Sequence, residues 1–97
     1  MALIPPPYAA TASAVADTSV TVLTGDGIFF GGCFTSTGAK VIKIYDNVAD
    51  SGTLIAQVTL AANESVNLRY AGGIKVGTGI RVTLSGAGTH VGSVFHG

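Results

Sequence analysis

Three side chains in this 97-residue sequence have the chemistry of a nucleophile, a general base or a soft metal ligand: Cys33, His90 and His96. A catalytic thiol needs a neighbouring base and nearby cations to lower its pKa. Cys33 lies in an apolar run, residues 31–34, without local cations, and this predicts a buried structural cysteine. The two histidines share one face if their strand is unbroken, but no third ligand accompanies them, so a surface or interface pair is predicted instead of a metal site. We therefore expect no enzyme, no metal and no cofactor.

Three loop motifs invite functional interpretations that their spacing does not support. The glycines around Gly25-Asp26-Gly27 precede a strand and not a helix, so they predict a hairpin turn and no phosphate loop. The oxygens of residues 46–52 miss the alternate spacing of a calcium loop, and a hydrogen-bonded turn is expected there. Asn63-Glu64-Ser65 fits a glycosylation acceptor, but without a secretory signal it predicts the polar tip of a hairpin.

The elements that must position these residues are strands. Apolar and polar residues alternate with a period of two from residue 17 onward, β-branched types dominate, and no window has helical spacing. Short Gly-, Ser- and Asp-rich turns separate the runs, including one at Gly72-Gly73. About eight short strands at this spacing predict an all-β fold, an antiparallel β-sandwich of jelly-roll or Ig-like type, over residues 17–97.

Residues 1–16 are predicted to form an extended N-terminal arm. Three consecutive prolines cannot donate ladder hydrogen bonds, and their fixed φ favours extended polyproline geometry. Residues 9–16 are small and poorly specified. A frayed terminus is the alternative. We expect instead that the arm binds a neighbouring subunit or another partner through its apolar residues, which are Leu3, Ile4, Pro5, Pro6, Pro7 and Tyr8.

The charge content excludes several classes of partner. Five Lys and Arg balance five Asp and Glu, charged residues make up 10% of the chain, and apolar residues make up 47%. Five scattered cations cannot neutralise an extended phosphate backbone, so no nucleic-acid partner is expected. No charge-free stretch is long and apolar enough to span a membrane, so no membrane partner is expected either. The apolar excess predicts faces that pack against other subunits, with Val41, Ile55 and Val94 directed away from the core.

A sugar site on the sandwich is the remaining small-ligand possibility. Tyr45, Tyr70 and Phe95 supply aromatic rings for it, although Tyr70 shares the apolar register of Val66 and Leu68 and is predicted to be in the core. The chain contains no tryptophan. Carbohydrate binding therefore rests on fold analogy alone.

Residues 39–56, followed by Tyr70-Ala-Gly-Gly-Ile-Lys-Val76 and Gly79-Ile-Arg-Val-Thr-Leu84, resemble small virion proteins of tailed bacteriophages. The shared layout is a strand ending in Tyr-Asp, a Ser-Gly turn, an alternating strand, a Gly-Ile-x-Val hairpin and a closing strand. Such proteins are β-sandwich domains of head decoration (cement) proteins, head fibres and tail fibres. The resemblance covers residues 25 to 95 and implies a homotrimeric structural protein of the virion, with no catalytic residues to transfer.

These observations together predict a capsid decoration protein. It would trimerise, lie on the exterior of the phage head and clamp neighbouring subunits of the major capsid protein. The alternative is a host-recognition module of a tail or fibre that binds carbohydrate through exposed loops such as residues 46–52.

Overall fold

The computed structural model describes residues 11–15 and 18–97, and all the regular structure in these residues is β-strand. The strands are β1 (Thr11–Val15), β2 (Val20–Thr24), β3 (Gly27–Ser36), β4 (Lys40–Asp46), β5 (Thr53–Leu60), β6 (Glu64–Val76), β7 (Gly79–Gly86) and β8 (His90–His96). The prediction of an all-β fold with eight strands is confirmed. Leu3 to Tyr8, the predicted partner-binding residues, lie outside the described residues.

The strands form two antiparallel sheets that pack together as a sandwich. Sheet A has the order β1-β8-β3-β6, and sheet B has the order β2-β7-β4-β5. Among the described strands, β4 and β5 are the one consecutive pair that lies side by side; every other connection crosses from one sheet to the other. This strand order is that of an eight-stranded jelly roll, not of an immunoglobulin sandwich.

The crossing connections change the interpretation of two predicted hairpins. The turn at Gly25-Asp26-Gly27 joins β2 of sheet B to β3 of sheet A, and the segment before Glu64 joins β5 to β6, again across the sandwich. Both turns exist, but neither closes a hairpin. Turn-forming residues specify a reversal of the chain, whereas the long-range pairing of the strands decides which sheet each strand enters.

The structure also adds a strand where the sequence predicts part of the arm. Thr11–Val15 form β1 and pair along β8, from Thr11 opposite His96 to Val15 opposite Gly92. Val15 is 1% exposed and belongs to the core, while Ala12 and Ala14 face outward. Small residues give a weak strand signal, and here the open edge of β8 supplies the partner that fixes their conformation.

The core lies between the inner faces of the two sheets. Its fully buried side chains come from almost every strand and are aromatic or β-branched for the most part: Val15, Phe29, Phe34, Ile42, Ile44, Leu60, Val76, Ile80, Val82 and Val94. The prediction that Val94 points away from the core is wrong, because this residue faces inward beside Ser13 of β1. Ile55 is half-buried and packs against the core, so it is not a free outer-face residue either.

Strand β6 is not interrupted at Gly72-Gly73, contrary to the predicted turn. It runs for 13 residues along β3, with Arg69 opposite Gly31 and Ile74 opposite Phe29. Residues 70–73 of β6 therefore lie opposite the single residue Phe30 of β3, which makes a wide bulge. Gly72 and Gly73 have φ values of 81° and 78°, a conformation that favours glycine.

Candidate functional site

Cys33 and the two histidines lie on opposite faces of sheet A. The inner face carries His90 and His96, which are 1% and 8% exposed, whereas Cys33 is half-buried on the outer face between Ser93 and Asn67. The prediction of a core cysteine is therefore wrong, because the alternation of β3 directs Phe34 inward and Cys33 outward. A thiol and an imidazole separated by the sheet cannot form a nucleophile–base pair.

The histidines share one face of an unbroken strand, as predicted, but the predicted surface or interface pair is wrong because both are buried in the sandwich. They lie six positions apart along the strand, a distance of about 20 Å, so they cannot bind one metal ion together. His96 Nε2 lies 2.7 Å from Ser13 Oγ, and the ring of His90 lies 5.7 Å from the ring of Phe34. Both imidazoles therefore act as core groups that join β8 to its neighbours.

The carboxylate of Asp46 is bound by backbone groups of the β6–β7 connection. The N–H groups of Thr78 and Gly79 donate to Oδ1 at 2.9 and 3.3 Å, and the N–H of Gly77 donates to both oxygens at 3.2 Å. These hydrogen bonds, that of Thr78 first, hold the pKa of Asp46 below its ordinary value of 3.8. The carboxylate thus pins one loop to another.

Asp50 has a different set of partners on the outer face of sheet B. Arg81 Nε donates to Asp50 Oδ1 at 2.6 Å, and Thr83 Oγ1 donates to the same oxygen at 3.0 Å. The hydrogen bond from Arg81, followed by that from Thr83, lowers the pKa of Asp50. The two carboxylates of residues 46–52 therefore serve separate contacts. In the part of the chain that the structure describes, no group of three or more His, Cys, Asp or Glu side chains could hold a metal ion.

The outer face of sheet A is almost free of charge. Three rows of cross-strand neighbours form most of it: Ala12, Phe95, Gly31 and Arg69; Ala14, Ser93, Cys33 and Asn67; Val91, Thr35 and Ser65. Arg69 is the single charged side chain of these rows, and Lys75 lies beyond them on the same strand, opposite Ile28. Val91, on the interior strand β8, is 68% exposed. Sheet B differs, because its outer face carries Lys43 and the Arg81–Asp50 ion pair.

An aromatic cleft opens where the β6 bulge disturbs sheet A. Its volume is about 410 Å³, and its walls are Phe30, Leu68, Arg69, Tyr70, Ala71, Gly72 and Phe95. We call this the aromatic cleft. Tyr70 packs on the edge of the core, with its ring 5.6 Å from that of Phe29. A second depression of about 420 Å³ adjoins it at Gly72 and extends along Ile28, Lys75 and Gly97.

The sequence signal for this cleft is the Gly72-Gly73 pair, for which the sequence predicts a turn. Phe95 and Tyr70 are two of the three rings predicted for a sugar site, and the structure brings these two together. Tyr45 is not among the lining residues; it lies on β4, opposite Leu54 and Arg81 in sheet B. The sequence predicts no site role for Phe30 or Arg69, because the bulge that assembles them involves residues about 40 positions apart.

No protein-family model matches this chain, and no curated protein or solved structure is significantly similar to it. Within residues 11–15 and 18–97, no helix has the length and apolar character needed to cross a membrane.

Proposed function

We propose that this protein is a structural protein that assembles as a homotrimer. The outer face of sheet A carries this proposal, since it is four strands wide and its two charged residues, Arg69 and Lys75, both lie on the edge strand β6. Such a face can be covered by another subunit without leaving a buried unpaired charge, which would cost several kcal/mol, about 3–5 when one partner is lost. The exposed Val91 lies on an interior strand of the surface to be covered.

The finer proposal is a capsid decoration (cement) protein on the exterior of a phage head, where each trimer clamps neighbouring subunits of the major capsid protein. Its support is the resemblance of residues 25 to 95 to small virion proteins, together with the jelly-roll strand order, an architecture used by viral capsid domains and by lectins. In this proposal the arm residues Leu3 to Tyr8 bind the shell or an adjacent subunit.

Sedimentation velocity at micromolar concentration tests the trimer. We expect the wild-type protein to sediment as a trimer, and Val91→Glu to weaken its association at least about tenfold, because the new carboxylate would be buried without a partner. Leu54→Glu is the matched control, since Leu54 is 46% exposed on sheet B. A wild-type monomer, or equal effects of the two variants, would contradict the proposed interface.

Binding to heads tests the role on the capsid. We expect the full-length protein to occupy decoration-free phage heads at fixed symmetry-related positions in a cryo-EM reconstruction. Deletion of residues 2–10 should lower that occupancy while leaving β1 and the sandwich intact. Unchanged occupancy after the deletion would show that the arm does not contribute to the capsid contact.

A second candidate is a host-recognition module that binds carbohydrate. The aromatic cleft favours it, because Phe30, Tyr70 and Phe95 offer ring faces on which a sugar can stack. The loop of residues 46–52 offers less, since Asp46 and Asp50 are both engaged in internal hydrogen bonds. A glycan array probed with the wild-type protein and Phe95→Ala distinguishes the candidates: ligand binding that is lost in Phe95→Ala supports this one, and an unbound array counts against it.

A further inference from the structure

We propose that the aromatic cleft of each subunit binds residues 3–8 of a neighbouring copy of the chain. This inference rests on the proposed homotrimer and names the contact that would join its subunits. The cleft is the binding site, and its occupant is the segment Leu-Ile-Pro-Pro-Pro-Tyr, which lies outside the described residues.

The chemistry of the cleft matches that of a proline-rich segment. Grooves lined by aromatic rings bind such segments because the polyproline conformation is already extended and loses little entropy on binding. The cleft presents Phe30, Tyr70 and Phe95 for this purpose. The segment and its flanks, residues 1–16, contain no charged side chain, so nothing charged would be desolvated when they enter an apolar cleft.

The cleft also offers donors for the carbonyl groups of the three prolines. Prolines lack an N–H, and a polyproline backbone makes no internal hydrogen bonds, so its carbonyl groups remain available. The guanidinium of Arg69 makes no ion pair or hydrogen bond to any described residue, and Arg69 and Tyr70, which has a hydroxyl group, both line the cleft. Both groups can donate to those carbonyls.

The position of the arm permits binding between copies. The described chain begins at Thr11 on the edge strand β1, whereas most of the cleft lies on β6 at the opposite edge of the same sheet, with Phe95 of β8 as its wall nearest to β1. Thr11 pairs with His96 and the cleft contains Phe95, so both lie at the same end of the strands. In a ring whose axis runs along the strands, the β1 edge of one copy faces the β6 edge of the next at the same height. Such head-to-tail contacts close a cyclic trimer.

The arm is long enough to reach the cleft of a neighbouring copy and also the cleft of its own chain. Residues 3–10 span up to about 27 Å when extended. In the same chain, the Phe95 wall of the cleft lies one strand spacing from β1, about 5 Å, and the β6 wall lies three spacings away, about 14 Å. Binding in the same chain must therefore be separated from binding between chains by experiment.

Cysteine cross-linking of the full-length chain distinguishes binding within one chain from binding between chains. Starting from Cys33→Ser, we would introduce Ala9→Cys beside the segment and Ala71→Cys, an exposed lining residue of the cleft, and add a short bismaleimide. We expect covalent dimers and trimers on a denaturing gel. The matched control replaces Ala71→Cys by Thr59→Cys, an exposed residue on the outer face of sheet B, and should yield at least tenfold less linked multimer.

A second variant tests the ring contacts themselves. Phe95→Ala should reduce the yield of linked multimers severalfold, whereas Tyr45→Ala on sheet B should leave it unchanged. Retained yield in Phe95→Ala would show that the cleft does not hold the segment.

Three other outcomes of the cross-linking and sedimentation experiments would overturn the inference. Linked monomers without multimers would assign the arm to its own cleft and overturn the inference. A trimer in sedimentation that forms no links between residues 9 and 71 would overturn it while leaving the proposed function standing. A monomer in sedimentation without links would overturn both.

Discussion

At the residue scale, the carboxylates of this protein illustrate how one residue type takes different roles. Asp46 accepts three backbone N–H groups from residues 77–79, whereas Asp26 is exposed and makes no hydrogen bond or ion pair to the described part of the chain. A carboxylate that receives several N–H groups replaces the hydrogen bonds that an irregular loop lacks. Asp46 is therefore a structural residue at the end of the loop.

Replacing Asp46 by Asn should destabilise the protein by about 1 kcal/mol, because the amide has one acceptor oxygen and directs its NH2 group at backbone donors. Much of the effect is screened by solvent at this exposed end. Urea unfolding followed by circular dichroism measures the change. Asp26→Asn is the control and should lie within the error of the wild type; equal losses would mean that the loop hydrogen bonds contribute nothing.

The lowered pKa values of Asp46 and Asp50 predict acid sensitivity. Because folding lowers both values below the ordinary 3.8, the unfolded chain binds more protons in acid. The stabilisation is complete above the ordinary pKa and is lost as the pH falls through the lower folded values. The urea midpoint should therefore fall between about pH 5 and about pH 2.5, and the fall should be smaller in Asp46→Asn. A midpoint independent of pH would contradict this.

Ser13 is the residue that joins β1 to the buried His96. Its hydroxyl lies 2.7 Å from His96 Nε2 inside the sandwich. Ser13→Ala should cost about 1–2 kcal/mol of unfolding free energy, because a buried imidazole nitrogen would lose its partner. Ser93→Ala, on the outer face of the adjacent strand, is the control and should be nearly neutral. A neutral Ser13→Ala would show that β1 contributes little through this bond.

At the scale of the elements, the β3–β6 pair is the most irregular part of the sheet and also the part that forms the cleft. Gly31 lies at the bulge with φ 118°, and a Cβ there would collide with the carbonyl oxygen of Leu68. The close approach of the two backbones requires glycine at this position. The bulge shapes the cleft and distorts the long edge strand β6 without breaking it, which limits uncontrolled pairing with other chains.

Gly31→Ala should therefore destabilise the protein by roughly 2–5 kcal/mol, since strain at a positive φ adds to a steric clash with backbone. Thermal or urea unfolding measures it. Gly77→Ala is the matched control: a Cβ added at Gly77 would have no atom within 4 Å, and the residue has no positive φ, so the change should be tolerated. Comparable losses in the two variants would contradict the backbone contact.

At the scale of the whole molecule, the two outer faces of the sandwich differ in charge. The outer face of sheet A carries Arg69 and Lys75, both on the edge strand β6, whereas that of sheet B carries Lys43 and the Arg81–Asp50 ion pair. Only 10% of the residues are charged, and their placement leaves most of the outer face of sheet A covered by uncharged, mainly small side chains. This asymmetry is the physical basis of the proposed assembly.

An interface of this composition predicts association that depends little on salt. Between about 50 mM and about 500 mM NaCl, the Kd of the trimer should change by less than about threefold, because salt screens interactions between charges and this interface has few charged side chains. Sedimentation equilibrium at the two salt concentrations measures it. A loss of association of more than tenfold in high salt would indicate an interface on sheet B, where the ion pair lies.

The strands and most of the turns between them follow from the amino-acid sequence alone. Alternation of side chains is a local property, so the runs around Ile42, Val58 and Val82 can be assigned to strands with one buried face without knowing their neighbours. The same signal fails at Thr11–Val15, whose small residues form a strand because the edge of β8 pairs with them.

The pairing of the strands, and with it every property of the candidate site, is fixed at the tertiary level. The crossing of connections between sheets, the outward face of Cys33, the burial of His90 and His96, and the cleft at Phe30 all depend on register between distant residues. Register is set by packing across the sandwich, where one added residue in a bulge reverses the faces that follow. Local pattern therefore predicts the architecture, and long-range packing builds the surfaces on which the proposed function depends.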